Sequence, residues 1–247
     1  MGTRHFFADV VDWREKAQPY QRGEMILFQL DRLVYATKHP DQIALTLQKE
    51  RGMTLAASGQ SFPGVATHIY PFPGGGFLEV TYVEDEAQAA ATDGGEALLQ
   101  FLSENGDGYC AMMLETDDLT HVRKVLEEEG YPVMLSPVQQ VTDPTGETVS
   151  FQMLGTYPHL PWFVQYGKPR TSPAGFPQAA FIRTATLTAD VAILEKILGQ
   201  QATLLEFPDK SAALLPLRNA SLRIETADQY GFAYFDPQGV LFEKPAM

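Results

Sequence analysis

Three glycines, Gly52, Gly130 and Gly199, recur at nearly even spacing, and each closes a stretch whose apolar residues fall at helical intervals. A glycine just past the last periodic residue takes the left-handed backbone that ends a helix without a Cβ clash. Before each helix stands a run that reads as a strand, and several more follow it. In the first copy Leu30–Ala36 is the strand, His39-Pro40-Asp41 the turn, and Ile43, Ala44 and Leu47 the apolar helix face. Met53–Ala57, Gly64–Tyr70 and Gly76–Val83 then read as strands. The second copy runs from the strand Tyr109–Leu114 through a helix opened by Asp117-Asp118, with Leu119, Val122, Val125 and Leu126 on one face. Strands at Tyr131–Leu135, Thr148–Leu154 and Pro161–Tyr166 complete it. In the third, Ala180–Leu187 leads to Val191, Leu194, Ile197 and Leu198, and then to strands at 202–207, 212–217, 221–225, 230–235 and 240–243. The pattern predicts an α+β protein built from repeated βαβββ units.

The expected organisation is an N-terminal extension (1–27), a first unit (28–84), a connecting segment (85–107) and a second unit (108–166). A linker (167–178) then leads to a third, divergent unit (179–247). Leu98, Leu99 and Leu102 predict a short helix in the connecting segment, lying across one end of the sheets. Phe6, Phe7 and Trp13 in the extension pack on the domain surface or form an arm.

Acidic residues outnumber basic ones 31 to 18, a net charge of -13, which disfavours nucleic acid and anionic membranes as partners. No run approaches the ~18 apolar residues of a membrane span. Cys110 is the single cysteine, which excludes an internal disulfide and a thiolate metal cluster and fits a reducing compartment. Together with the lack of a signal-peptide pattern, these features predict a cytoplasmic protein. Walker, dinucleotide-binding, nucleophile-elbow and HExxH motifs are absent.

The segments LDRLVYATKHPDQIALTLQKERGM, SFPGVATHIYPFPGGGFLEVTYVED and LPWFVQYGKP, with the turns at Asp143–Gly146 and Asp236–Gly239, resemble the glyoxalase-like domain family. That family belongs to the vicinal-oxygen-chelate (glyoxalase, bleomycin-resistance and dioxygenase) superfamily. The resemblance spans roughly residues 28–243 and implies curved mixed sheets in which paired units form a cup around a ligand. It also places Arg32 where the family often has a metal-binding histidine, Glu79 at the acidic ligand position, and Gln165 where a glutamate is common. Arginine is permanently cationic and is no ordinary metal ligand. No tightly bound, fully protein-ligated metal is expected at Arg32, Glu79 and Gln165. A weak divalent ion completed by substrate oxygens stays open.

Three readings of Arg32 and Glu79 remain: a structural ion pair, a ligand anchor whose carboxylate orients the guanidinium or takes a proton, and a metal centre using Glu79. His68 is the conventional acid/base candidate, provided it shares a face with Glu79. His159 stands where a loop enters a strand near the cup mouth. Trp162 and Tyr166 share strand parity and offer aromatic cover for a ligand, although most aromatic residues here serve packing. The expected function is a lyase or isomerase acting on a small polar or anionic metabolite, or a non-catalytic binding or sequestration protein on the same scaffold. A small-molecule ligand and a homodimer are the expected partners.

Overall fold

In the computed structural model the described residues are 27–142, 148–168, 170, 178–207, 210–235 and 241–242. The arm residues Phe6, Phe7 and Trp13 and both Asp-Pro turns lie outside them. The first unit is β1 (Phe28–Ala36), α1 (Pro40–Arg51), β2 (Ala57–Phe62), β3 (Val65–Pro71) and β4 (Phe77–Val83). Two helices follow, α2 (Glu86–Ala89) and α3 (Asp93–Asn105). The next elements are β5 (Gly108–Thr116), α4 (Leu119–Glu128), β6 (Met134–Leu135), β7 (Gln139–Thr142), β8 (Thr148–Gly155) and β9 (Trp162–Tyr166). The last are β10 (Ala179–Thr184), α5 (Leu187–Leu198), β11 (Thr203–Glu206), β12 (Ser211–Pro216), β13 (Ser221–Thr226), β14 (Gly231–Phe235) and β15 (Leu241–Phe242).

Strands β1 to β9 form one mixed sheet in the order β2-β3-β4-β1-β5-β9-β8-β6, with β7 also paired to β8. Its centre is the antiparallel pair β1–β5, flanked by the parallel pairs β1–β4 and β5–β9. The second sheet, β11-β12-β13-β10-β14-β15, repeats the order β2-β3-β4-β1-β5 strand for strand in its first five members. The Met53–Ala57 segment differs from expectation: Met53 packs against the core, and the strand begins at Ala57 and runs as an exposed edge.

The duplication has a local signature in the strand-to-helix turns. The hydroxyls of Thr37, Thr116 and Thr184 accept the backbone N–H two residues on, from His39 (2.9 Å), Asp118 (3.1 Å) and Thr186 (2.9 Å). Such turns set the entry angle of each helix. At the far ends Gly52 and Gly199 take φ of 63° and 65°.

One face of the first sheet is apolar: Leu33, Tyr35, Leu78, Val80, Met112, Leu114 and Phe163 are all buried there. Helix α1 covers it with Ile43 and Leu47, and α4 with Leu119, Val122 and Leu126. Helix α5 caps the second sheet with Val191, Leu194, Ile197 and Leu198, and all three helices share one continuous core. Among the described residues, α3 lies against one end of the opposite face, packing Leu98 and Leu102 on Ala36 and Val65. No helix among the described residues is long and apolar enough to cross a membrane.

An irregularity in β1 joins the two sheets. Leu30 pairs with Leu114 and Arg32 with Met113, so Asp31 is an extra residue, a β-bulge. The backbone at the bulge is held from the second sheet: Asn219, fully buried, accepts the Leu30 N–H at 2.8 Å and donates to the Leu30 carbonyl at 3.0 Å. Gly76 presses on the same place, where an added Cβ would stand 2.7 Å from the Leu30 carbonyl oxygen. Asn219→Ala leaves a buried N–H and C=O unpaired. It should lower unfolding free energy by roughly 2–4 kcal/mol, read from urea melts; a loss below about 0.5 kcal/mol would contradict the clamp.

Candidate functional site

The bulge decides which side chains face the side of the first sheet away from α1 and α4. Regular alternation after Leu30 would turn Arg32 toward the core; the extra residue sends Asp31 and Arg32 to the same face instead. Val34 pairs with Glu79 and Arg32 with Phe77, so Glu79 and Phe77 stand on that face too. Across the centre, Met113 pairs with Trp162, which places Trp162 and, by alternation, Tyr166 on the same side.

There the polar groups form one connected network. Arg32 donates from Nε to Asp31 (2.6 Å), from Nη1 to Glu79 Oε2 (2.8 Å) and from Nη2 to the Tyr166 hydroxyl (3.1 Å). The Tyr166 hydroxyl donates in turn to Asp31 Oδ1 at 3.1 Å, and Ser61 donates to Glu79 Oε1 at 2.9 Å. Asp31 also pairs with Arg170. Arg170 reaches Glu115 through its backbone N–H (3.0 Å), Nε (3.0 Å) and Nη2 (2.9 Å), and Gln29 donates to Glu115 at 2.8 Å. The guanidinium of Arg32 lies 4.7 Å over the Phe77 ring and that of Arg170 4.3 Å over the Tyr166 ring. Trp162 lies across Gly155, where an added Cβ would meet its indole at 2.7 Å.

Three carboxylates face two guanidiniums in this network, a surplus of one negative charge among the described residues. Burial raises the pKa of the Glu115 carboxyl against the hydrogen bonds from Arg170 and Gln29. Burial alone would lower the Arg32 pKa, but the charge of Glu79 and the Tyr166 hydroxyl outweigh it and the net shift is upward. Burial pushes Arg170 down to about 10, still protonated at neutral pH. The Tyr166 phenol is raised by burial, with Arg32 opposing.

The structure thus brings Arg32, Glu79, Tyr166 and Trp162 together and sets three other candidates elsewhere. His68 pairs with Val80, on the face opposite Glu79, and its Nε2 contacts the Tyr82 hydroxyl at 3.2 Å. Gln165 also points away: its amide accepts the Leu119 N–H at 3.1 Å and donates to the Asp117 carbonyl at 2.9 Å, tying β9 to the start of α4. His159 sits between Tyr157 and Tyr230, with Nε2 3.4 Å from Asp190 of α5. Asp31, Glu115 and Arg170 were not anticipated. Two adjacent polar residues inside Leu30-Asp31-Arg32-Leu33 carried a bulge signal, and Glu115 shares parity with Met113; Arg170 follows no periodic element and had none.

The donors do not fit a protein-ligated divalent metal. A guanidinium stands at the position that the resemblance gives to histidine, both Glu79 oxygens are engaged by Arg32 and Ser61, and Gln165 faces α4. Among the described residues no three His, Cys, Asp or Glu side chains are placed to share a metal ion.

A strand-helix-three-strand unit, repeated, with parallel flanking pairs around an antiparallel centre and a polar site on the face away from the helices, defines the vicinal-oxygen-chelate fold. The glyoxalase-like domain family matches residues 30–198, and the chain belongs to that family. A hypothetical protein from Staphylococcus aureus shares the fold at a TM-score of 0.62 and 16% identity, over 88% of this chain and 98% of that one. A mutant 4-hydroxymandelate synthase from Streptomyces coelicolor does so at 0.57 and 12%, over 83% of this chain and 64% of that one. At these identities the likeness concerns the fold alone. Among curated proteins, none matches by sequence.

Gln165→Ala should shift the denaturant midpoint to a stability loss of roughly 1 kcal/mol, as lost helix caps do, and leave ligand binding unchanged. Weakened binding without lost stability would place Gln165 in the site. Desolvation, with the Glu79 charge adding, pushes the Cys110 thiol up to about 12, so thiolate is scarce at pH 8.5. Iodoacetamide should label the native protein at least about a hundredfold more slowly than the unfolded chain. Equal rates would show an ordinary thiol.

Proposed function

We propose that this glyoxalase-like protein binds a small polar or anionic metabolite on the face of the first sheet away from α1 and α4, and that Glu79 performs proton transfer on it without a protein-held metal. The observation that carries this reading is the three-way contact of Arg32 with Glu79, Tyr166 and Asp31 on one face. A carboxylate and a phenol within one guanidinium's reach supply a base and two oxygen-directed donors at a single point.

The reaction class is lyase or isomerase. Glu79 takes a proton from a carbon beside a carbonyl, and the C–H electron pair moves onto the carbonyl oxygen. That oxygen is stabilised by the Arg32 Nη2 proton, now given to Tyr166, and by the phenol itself. Return of the proton gives an isomer; departure of a group from the neighbouring carbon gives an elimination product. Phe77 and Trp162 cover the ligand's apolar part. His68, Gln165 and His159 take no part.

A second reading, binding without turnover, draws on the state of Arg32: three of its five N–H groups are held by Asp31, Glu79 and Tyr166, which makes it a fixed anchor for a ligand oxygen. An unbiased metabolite-binding screen, repeated with Arg32→Ala and Glu79→Ala after their folding has been checked by circular dichroism, tests the site. Both variants should lose one ligand class by at least about tenfold in affinity. Unchanged binding in both would overturn the assignment. Product analysis on the retained ligands then separates the readings: an isomer or elimination product marks the enzyme, unaltered ligand the binder.

A further inference from the structure

The second sheet carries its own charged cluster on the face that corresponds to the Arg32 site. Strand β10 pairs with β13 in parallel, as β1 does with β4, and the register sets Phe181 beside Arg223 and Arg183 beside Glu225. Ala180, Ile182, Leu222 and Ile224 alternate with these residues and face the core under α5. The charged residues therefore occupy the face away from the helix, where the Phe181 and Phe235 rings meet at 4.4 Å between centres, tilted by 35°.

The balance of charge is the reverse of that in the first sheet. Glu225 meets Lys210 at 3.0 Å, Arg223 at 3.2 Å and Arg183 at 3.7 Å. Even with Arg183 set aside, two cations share one carboxylate among the described residues, in a chain whose net charge is -13. The cations also stand outermost: the side chain of Glu225 is 9% exposed, that of Arg223 23% and that of Lys210 37%.

Arg223 is held as a binding group is held. Its guanidinium lies 5.0 Å from the centre of the Phe207 ring and 5.3 Å from that of Phe181, which fixes its plane. Nη2 is engaged by Glu225, while Nε is buried and has no hydrogen-bond acceptor. A buried donor without a partner is costly, and a guanidinium edge fits two oxygens of one oxyanion. The Phe207 N–H meets the Lys210 carbonyl at 3.0 Å, and the Lys210 ammonium gives one of its three protons to Glu225.

We infer that this face of the second sheet is a separate binding site for a small oxyanion, a carboxylate or a phosphate, attached to a flat apolar group. The Nε edge of Arg223 and the ammonium of Lys210 hold the oxyanion. Phe181, Phe207 and Phe235 receive the apolar body. The site is independent of the Arg32 network, which lies on the other sheet.

The test uses the full chain and three probes: benzoate, inorganic phosphate and the neutral isostere benzamide. Arginine Nε–Hε resonances are followed by NMR, with that of Arg223 identified by its loss in Arg223→Lys. Benzoate or phosphate should move this resonance along a saturable curve and benzamide should not; the tighter of the two names the head group. Arg223→Lys keeps the charge but loses the planar edge, and should weaken binding at least about tenfold by calorimetry. Lys210→Ala should weaken it several-fold, and Arg32→Ala should leave it unchanged. If Arg223→Lys fails to fold, Lys210→Ala and the wild-type titrations decide. Absence of a saturable shift, equal response to benzamide, or loss of binding in Arg32→Ala would overturn the inference.

Discussion

The carboxylate of Asp31, wholly buried at a bulge in the central strand, is the constraint on which the first sheet's site depends. A buried charge in this position is expensive unless it is paired and hydrogen-bonded on every side. Arg32, Arg170 and Tyr166 all converge on it, drawing β9 and the segment after it onto the face of β1. The same bulge frees the backbone of Leu30, which Asn219 then satisfies from the second sheet. One irregular residue thus aims the site, fixes the cover of the strand and docks the two sheets. Substituting either arginine alone would leave the other to hold a buried carboxylate, so their effects should be coupled rather than additive.

Much of the scaffold was legible because its periodicities are local. The helix faces at Ile43 and Leu47, at Leu119, Val122 and Leu126, and at Val191 and Leu194 repeat at 3.6-residue spacing, and the closing glycines mark their ends. The three threonine turns were equally present in the sequence, but a hydroxyl accepting an N–H two residues on has no signature beyond a common residue type. Strand faces were harder, since one extra residue inverts parity: counting from Leu30 gives the wrong face for Arg32, and only the adjacent polar pair betrays it. The pairing of Arg32 with Glu79 could be anticipated from the family pattern alone. That of Asp31 and Glu115 with Arg170 could not, because it depends on where the linker after β9 returns.

Where the superfamily pattern would gather neutral imidazoles and carboxylates around a dication, this chain gathers carboxylates around fixed guanidiniums. Both arrangements satisfy the same electrostatic demand, the neutralisation of acidic side chains projecting from the centre of a curved sheet. They differ in what they leave open. A metal ion can exchange a water for a ligand oxygen, whereas Arg32 has three of its five N–H groups already directed at protein oxygens and offers a ligand a fixed donor edge instead.

The second sheet shows the opposite solution on the same topology. Its core residues alternate with the charged ones just as in the first sheet, so either face pattern can be changed without disturbing the packing under α5. There a single carboxylate organises several cations, and one buried donor is left without an acceptor. Among the described residues the two copies therefore differ chiefly on the face away from the helices, where one gathers carboxylates around two guanidiniums and the other gathers cations around Glu225.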